Sequence, residues 1–337
     1  MGQRICSPEE LEGLARDALT ASGASRDAAD SLARAVVAAE LDGIASHGLA
    51  YIPTYCEHLR CGKVRPLAEP RAQATAASAI LVDADHGFAH PAIDKGLPLL
   101  MEAARSHGVA GMAVRRSYNC GVLGYHTEQL AAAGLVGLGF TNAPASIAPL
   151  GGTRPVIGTN PFSLAVPGEH PGEIALLIDQ SASVVAKSEV MAHKRRGQPL
   201  PAGWALDASG QPTTDPDAAL AGSMMPAGGY KGFGSGLMTE VLAAVLAGGA
   251  LGTQASPFSG TQGGPPGTGQ FFLAMDPDSF SGSAFQPAVQ GLIAAMDEQP
   301  GVRVPGRRRR DNRLRLRQAG IPVASELLDR VQSLVRT

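Results

Sequence analysis

With 337 residues the chain can build one large core or two domains of ordinary size. A net charge of −2 gives no basic field for nucleic acid, and 44% apolar residues exclude a disordered polymer. Charged residues make up only 17% and glycines number 42, which points to close backbone packing and many tight turns. In chain order, Ser7-Pro8-Glu9-Glu10 reads as a helix N-cap, an N1 proline and a capping-box acid. Leu11, Leu14, Ala15, Ala18 and Leu19 continue that helix to a stop at Gly23. A second helix starts near Ser25 and stops near Gly43, with Leu32, Ala35, Val36 and Ala39 on one stripe. A third helix or turn spans 51–59. From about Thr75 strands are expected over 79–83, 109–114, 135–142, 162–166, 174–179 and 271–275. Helices are expected at 89–106, 123–133, 231–247 and 287–298, and a last one at 324–335. Residues 256–269, rich in Gly, Pro, Ser and Thr, read as a long loop, and a loop of that length is more often functional than idle.

No apolar run approaches the roughly 18–20 residues of a membrane span; 241–251 is apolar but short. Cys6, Cys56, Cys61 and Cys120 form neither a CxxC pair nor a zinc-spaced cluster with histidine. Free thiols in a reducing cytoplasm, and no metal, are the expectation. Strand–helix alternation invites a Rossmann reading, but no G-x-G-x-x-G follows a strand and opens a helix. Gly232-Phe233-Gly234-Ser235-Gly236 has the wrong spacing, and there is no Walker A sequence.

Four separated clusters carry chemistry. Ser46 and His47 set a hydroxyl beside an imidazole just past the second helix. Gly-Thr-Asn-Pro at 158–161 and Pro-Ala-Gly-Gly-Tyr-Lys-Gly at 226–232 are turns with spare backbone N–H groups. Arg307, Arg308, Arg309 and Arg310 follow a Pro-Gly turn. Reactive groups beside phosphate-friendly ones indicate an enzyme with an anionic cofactor.

In this order the clusters resemble the malate/L-lactate dehydrogenase family of the non-Rossmann kind, nearest to its Δ1-pyrroline- and Δ1-piperideine-2-carboxylate reductases. The resemblance runs through DGIASHG (42–48), ADHGFAHPA (84–92), SYNCG (117–121), APLGGTRPVIGTNP (148–161), LPAGWALDASGQPTTDP (200–216), GGYKGFG (228–234) and VPG (304–306). It implies an α/β (α+β) fold: a helical domain over 1–74 completed by 300–337, and an NAD(P)H-binding domain over 75–299 with a mostly antiparallel sheet. It also implies a cytoplasmic homodimer.

The site residues implied by the resemblance are as follows. Ser46 and His47 form a charge relay with a later carboxylate, set at Glu189, with Asp179 as the alternative. Histidine suits proton delivery because its reference pKa is near neutral. Thr159 and Tyr51 contact substrate. Asn119, Cys120, Gly121, Val122, Leu123, Asp179, Gln180, Ser181, Tyr230, Lys231, Gly306 and the four arginines from Arg307 to Arg310 hold the cofactor. One or two of those arginines meet a 2′-phosphate, which favours NADPH over NADH.

Two positions depart from the family pattern. Asn119 stands where a histidine is usual, and Tyr51 where several relatives have arginine. Asparagine exchanges no proton, and tyrosine carries no permanent charge. Both changes favour a compact cyclic imino acid over malate or sulfolactate. The expected reaction is Δ1-pyrroline-2-carboxylate to L-proline, with Δ1-piperideine-2-carboxylate as a second substrate. A 2-hydroxyacid dehydrogenase using His47 or His126 as base is the second reading. A catalytically dead NADPH-binding protein is the third. His126 is expected at the surface.

Overall fold

Two capped helices open the computed structural model, which describes residues 2–336. After β1 (Gln3–Cys6), α1 (Pro8–Ala21) begins where the Ser7 hydroxyl accepts the Glu10 N–H at 3.1 Å. In α2 (Arg26–Leu41), the Ser25 hydroxyl accepts the Ala28 N–H at 3.3 Å. Short 3-10 turns at Ala45–His47 and Leu49–Tyr51 lead into α3 (Ile52–Arg60). The stripe that marked α1 and α2 in sequence is buried against α3 and the far end of the chain. Leu11, Leu19, Leu32, Val36 and Leu59 pack with Leu316, Ile321, Val323, Leu328 and Val331.

The rest of the chain builds a sheet. In order come β2 (Arg71–Ala76), β3 (Ala79–Asp83), α4 (Ala89–His107), β4 (Val109–Ser117), α5 (Leu123–Ala132), β5 (Val136–Thr141), β6 (Phe162–Pro167) and β7 (Ile174–Gln180). Next are α6 (Lys187–Arg196), β8 (Ala205–Leu206), β9 (Pro212–Thr213), α7 (Pro216–Ala221), β10 (Ser223–Met224) and α8 (Tyr230–Glu240). A π-helical segment, Val241–Leu246, continues α8. The chain finishes with β11 (Thr268–Met275), α9 (Phe285–Asp297), α10 (Arg307–Ala319), β12 (Ile321–Ala324) and α11 (Ser325–Val335). Seven strands pair in the order β2-β3-β4-β11-β5-β6-β7, and only β3 and β4 run parallel. A right-handed β3-α4-β4 crossover is the expected route between parallel neighbours. The chain ends meet where β1 pairs antiparallel with β12.

Several elements differ from the sequence reading. Strand β2 starts at Arg71, so the sheet takes in residues assigned to the helical part. Exposure at nearly every position of β2 erased its alternation. The arginine run, which follows Pro305-Gly306 as read in sequence, forms the first turn of α10. Three elements, α6, α7 and the small sheet β10-β8-β9, occupy a stretch to which the sequence reading assigned no element. No helix is long and apolar enough to cross a membrane among the described residues.

Candidate active site

The turn after α2 holds Ser46 Oγ 3.0 Å from His47 Nδ1. Its geometry depends on Glu40, whose Oε1 accepts the Leu49 N–H at 2.7 Å. Gly48 makes room: a Cβ there would stand 2.1 Å from that same oxygen. Burial pushes the Glu40 carboxyl up, while the Leu49 N–H pulls it down. Nothing in the sequence singled out Glu40. An acid near the C-terminal end of an apolar helix, where the macrodipole opposes negative charge, is the signal that was available.

His47 is half-buried, and burial lowers its pKa; the Asp179 charge raises it and Arg309 lowers it. Of the two candidate carboxylates, Asp179 is the one whose charge reaches His47; Glu189 is not among the groups that act on it. Glu189 is exposed in the first turn of α6, where its N–H bonds the Ala186 carbonyl.

Tyr51 lies with its ring parallel to His47, centroids 6.4 Å apart, and edge-on to Tyr55 at 4.7 Å. Burial pushes its hydroxyl up, and the Asn119 and Tyr118 side chains pull it back down. Asn119 folds back so that Oδ1 accepts the Gly121 N–H at 2.6 Å. Cys120 and Leu123 turn their side chains into the core beneath the sheet, leaving only backbone toward the turn. Burial pushes the Cys120 thiol up to about 12. Val122 caps α5 and is half-buried. Behind Gly121 stands His90, fully enclosed, its ring 5.2 Å from that of His126. His126 is buried, not at the surface, with Nε2 3.0 Å from the Cys120 carbonyl. It occupies the face of α5 that packs on the sheet against Phe272.

At the N-terminus of α5, Asp179 Oδ2 accepts the Gly124 N–H and an Arg309 Nη2 hydrogen, each at 3.0 Å. A Cβ on Gly124 would meet Arg309 Nη1 at 2.7 Å and Asp179 Oδ2 at 2.9 Å, so any larger residue would push this ion pair aside. Arg309 Nη1 is buried without a partner. The four arginines splay apart. Arg307 makes a paired contact with Asp297 at 2.6 and 2.7 Å, and Arg310 donates to the Ile174 carbonyl at 3.1 Å. Arg308 is exposed, with no partner among the described residues. Gly306 caps α10 at φ 91, against Leu177.

A second edge comes from neighbouring strand ends. The β6–β7 register pairs Phe162 with Gln180 and Ser163 with Asp179. The Thr159 carbonyl accepts the Ala182 N–H, and the Ala182 carbonyl accepts the Ala227 N–H, both at 2.8 Å. Thr159, Gln180, Ser181 and the turn carrying Tyr230 and Lys231 therefore hang on one ladder. Ser181 bonds Ser183. Asn160, at φ 37, is clamped by Glu240 Oε2 at 2.7 Å. Tyr230 and Lys231 are exposed, and Lys231 has no ionic partner among the described residues.

The arrangement combines an imidazole beside a hydroxyl, a helix N-terminus that already holds one carboxylate, an unpaired buried guanidinium nitrogen and an exposed ammonium. A comparison with protein families matches residues 6–332 to the malate/L-lactate dehydrogenase family. The chain belongs to this family. By that membership it is an NAD(P)-dependent oxidoreductase. Among relatives of this dehydrogenase, the (2R)-3-sulfolactate dehydrogenase (NADP(+)) of Chromohalobacter salexigens is 47% identical over 306 residues, 91% of each chain. The Δ1-pyrroline-2-carboxylate reductase of Ancylobacter novellus is 37% identical over 328 residues, 96% of each chain. The crystal structure of Δ1-piperideine-2-carboxylate reductase from Pseudomonas syringae pvar. tomato superposes with a TM-score of 0.93 at 36% identity. The match covers 98% of this chain and 99% of that one.

Proposed function

We propose that this dehydrogenase reduces a small cyclic 2-imino acid: Δ1-pyrroline-2-carboxylate to L-proline, and Δ1-piperideine-2-carboxylate to L-pipecolate. The observation that carries the reading is the uncharged wall beside the acid. Tyr51 and Asn119 join His47 where a second fixed charge would serve a dicarboxylate or sulfonate. Two named relatives, the pyrroline- and piperideine-2-carboxylate reductases, support it.

The residues present fit a dinucleotide bound without a Rossmann crevice. The turn from Asn119 to Leu123, the N-terminal N–H groups of α5, the spare Arg309 nitrogen and Lys231 would hold its pyrophosphate and nicotinamide end. Arg308 would meet a 2′-phosphate, which makes NADPH the first choice and NADH the second. The bound nicotinamide supplies a hydride. Ser46 occupies Nδ1 of His47, so Nε2 is the nitrogen that gives a proton to the imine nitrogen. One C–H and one N–H bond then replace the π bond. Thr159 orients the substrate carboxylate through its hydroxyl.

A homodimer is part of the proposal. Leu237, Met238, Val241, Val245 and Leu246 form an exposed apolar stripe along α8 and its π-helical extension, a face that suits a second copy of the chain. Free, unbridged cysteines fit a cytoplasmic enzyme. The competing reading, a 2-hydroxyacid dehydrogenase, is favoured by the sulfolactate dehydrogenase relative. A panel of the two imines, 3-sulfopyruvate, oxaloacetate and pyruvate, each with NADPH and NADH, decides between them. Imine turnover above oxo-acid turnover is the expected result; oxo-acid turnover alone rejects the proposal.

A further inference from the structure

A closed polar network lies under the turn at 158–161. Asn160 is fully buried and takes φ 37 directly before Pro161. That backbone is left-handed, and a following proline steers its predecessor toward extended forms, so side-chain bonds must hold it. The Asn160 carboxamide makes three. Its Nδ2 donates to Glu240 Oε2 at 2.7 Å and to the Gly236 carbonyl at 2.9 Å. Its Oδ1 accepts the Ala143 N–H at 3.1 Å. A carbonyl only accepts and an N–H only donates, so the carboxamide fits one way round.

The network closes on Glu240, a buried carboxyl at the end of α8. Its Oε1 accepts the Gly252 N–H at 2.6 Å and an Asn142 Nδ2 hydrogen at 3.5 Å. Asn142 in turn donates to the Ala250 carbonyl and accepts the Gly269 N–H, each at 2.9 Å. Every partner of Glu240 donates, which suits an acceptor-only carboxylate. The turn is also tight: a Cβ on Gly158 would stand 2.3 Å from the Ala143 carbonyl oxygen. The Thr159 carbonyl accepts the Ala182 N–H at 2.8 Å. Backbone is thus pinned on both sides of the Thr159 side chain, whose hydroxyl enters none of these bonds.

We infer that Glu240 is a positioning residue for substrate binding: through Asn160 it holds the turn in the one backbone form that aims the Thr159 hydroxyl at the substrate carboxylate. The inference rests on the reading of Thr159 as the carboxylate contact and supplies what holds that contact in place. Helix α8 also carries Lys231 in its first turn. A general loosening of the helix would therefore reach the cofactor side, whereas loss of the Asn160 clamp alone would not.

The test uses the full-length enzyme and whichever of Δ1-pyrroline-2-carboxylate and 3-sulfopyruvate it reduces, since each bears a carboxylate. Two quantities are read: KM for the acid at saturating NADPH, and Kd for NADPH from nicotinamide fluorescence. Glu240→Gln leaves either the Gly252 N–H or the Asn160 amide facing an NH2 group. It should raise KM about tenfold and leave Kd within about twofold. Thr159→Val, which removes the hydroxyl, should do the same. The double variant should add little to either alone, because one residue acts through the other. Should Glu240→Gln fail to fold, Asn160→Gly keeps the left-handed backbone accessible without the clamp and gives the same readout. Additive losses, an unchanged KM in Glu240→Gln, or a Kd that rises in step with KM would make Glu240 an anchor of the fold only. Each of these overturns the inference and leaves Thr159 its role. Thr159→Val without effect on KM overturns the reading of Thr159 and the inference together.

Discussion

Removing the Arg313 guanidinium tests whether the helical layer is locked to the cofactor-side helix by a buried charge cluster. Arg313, on α10, donates to both Asp42 oxygens at 2.8 and 2.9 Å and to Glu128 on α5 at 2.9 Å. The side chains of Asp42 and Glu128 are 4% and 15% exposed, that of Arg313 30%. Arg313→Met leaves two enclosed carboxylates without their cation. Breaking a buried pair costs roughly 3–5 kcal/mol, and the partly solvated guanidinium puts this one at the low end, about 3 kcal/mol. The unfolding entropy is roughly 2.1 cal/mol/K per residue. For a chain of this length the expected Tm loss is then about 4 °C. The loss has a sign with pH. Burial raises the pKa of Asp42 and Glu128 in the folded state, with Arg313 opposing it. A carboxyl with a raised folded pKa contributes stability while protonated and loses it as pH rises through that pKa. The variant should accordingly lose more at pH 8 than at pH 5, read by differential scanning fluorimetry. Adding Asp42→Asn should recover part of the loss. A deficit under about 1 °C, or one equal at both pH values, would refute the argument.

Three further outcomes are expected. Asp179→Asn removes the charge that raises the His47 pKa, and Arg309→Met removes one that lowers it. The alkaline fall of kcat/KM for reduction should therefore move to lower pH in the first and higher in the second; shifts of the same sign would remove His47 as the titrating acid. Arg308→Ala should raise KM for NADPH about tenfold and leave NADH nearly unchanged, an ionic contact to phosphate being lost in one case only. Arg307→Ala should alter neither, because Asp297 holds that side chain; equal losses for the two cofactors would discard the 2′-phosphate contact. Val241→Asp with Val245→Asp should turn a dimer into a monomer in light scattering, and a dimer that persists places the interface elsewhere.

What the sequence made legible followed from local chemistry. Ser7 and Ser25 cap helices because a hydroxyl before an apolar 3.6-residue stripe has one good use. Strands with a buried face, such as β3 and β4, showed their alternation. The partners of charged groups were not legible. Arg309 meets Asp179 across 130 residues and Arg313 meets Asp42 across 271, and no local pattern reports such distances. The arginine run could be read only as one or two phosphate contacts without saying which, because helical turns of about 100° per residue send successive side chains to partners far away in sequence. His126 read as a surface residue because a polar side chain on a short helix usually is one. The Cys120 carbonyl that satisfies its Nε2 becomes its neighbour only once β4 and α5 are folded.

The two departures from the family pattern looked independent in sequence, 68 positions apart, and in the structure the Asn119 side chain acts on the Tyr51 hydroxyl. An arginine at position 51 would stand beside the Asn119 amide and the Tyr118 hydroxyl. Its guanidinium would supply only donors to a cleft in which Asn119 Nδ2 is already a donor. A histidine at position 119, without a carboxamide oxygen, would leave the Gly121 N–H without its present acceptor. Each residue is therefore compatible with the other and poorly matched to the usual one. Tyr51 and Asn119 form one unit, and reverting either alone should damage turnover more than reverting both. Tyr51→Arg, Asn119→His and the double variant, compared by kcat/KM on the imine and on 3-sulfopyruvate, measure that coupling directly. Additive effects within about 0.5 kcal/mol would show two separate positions.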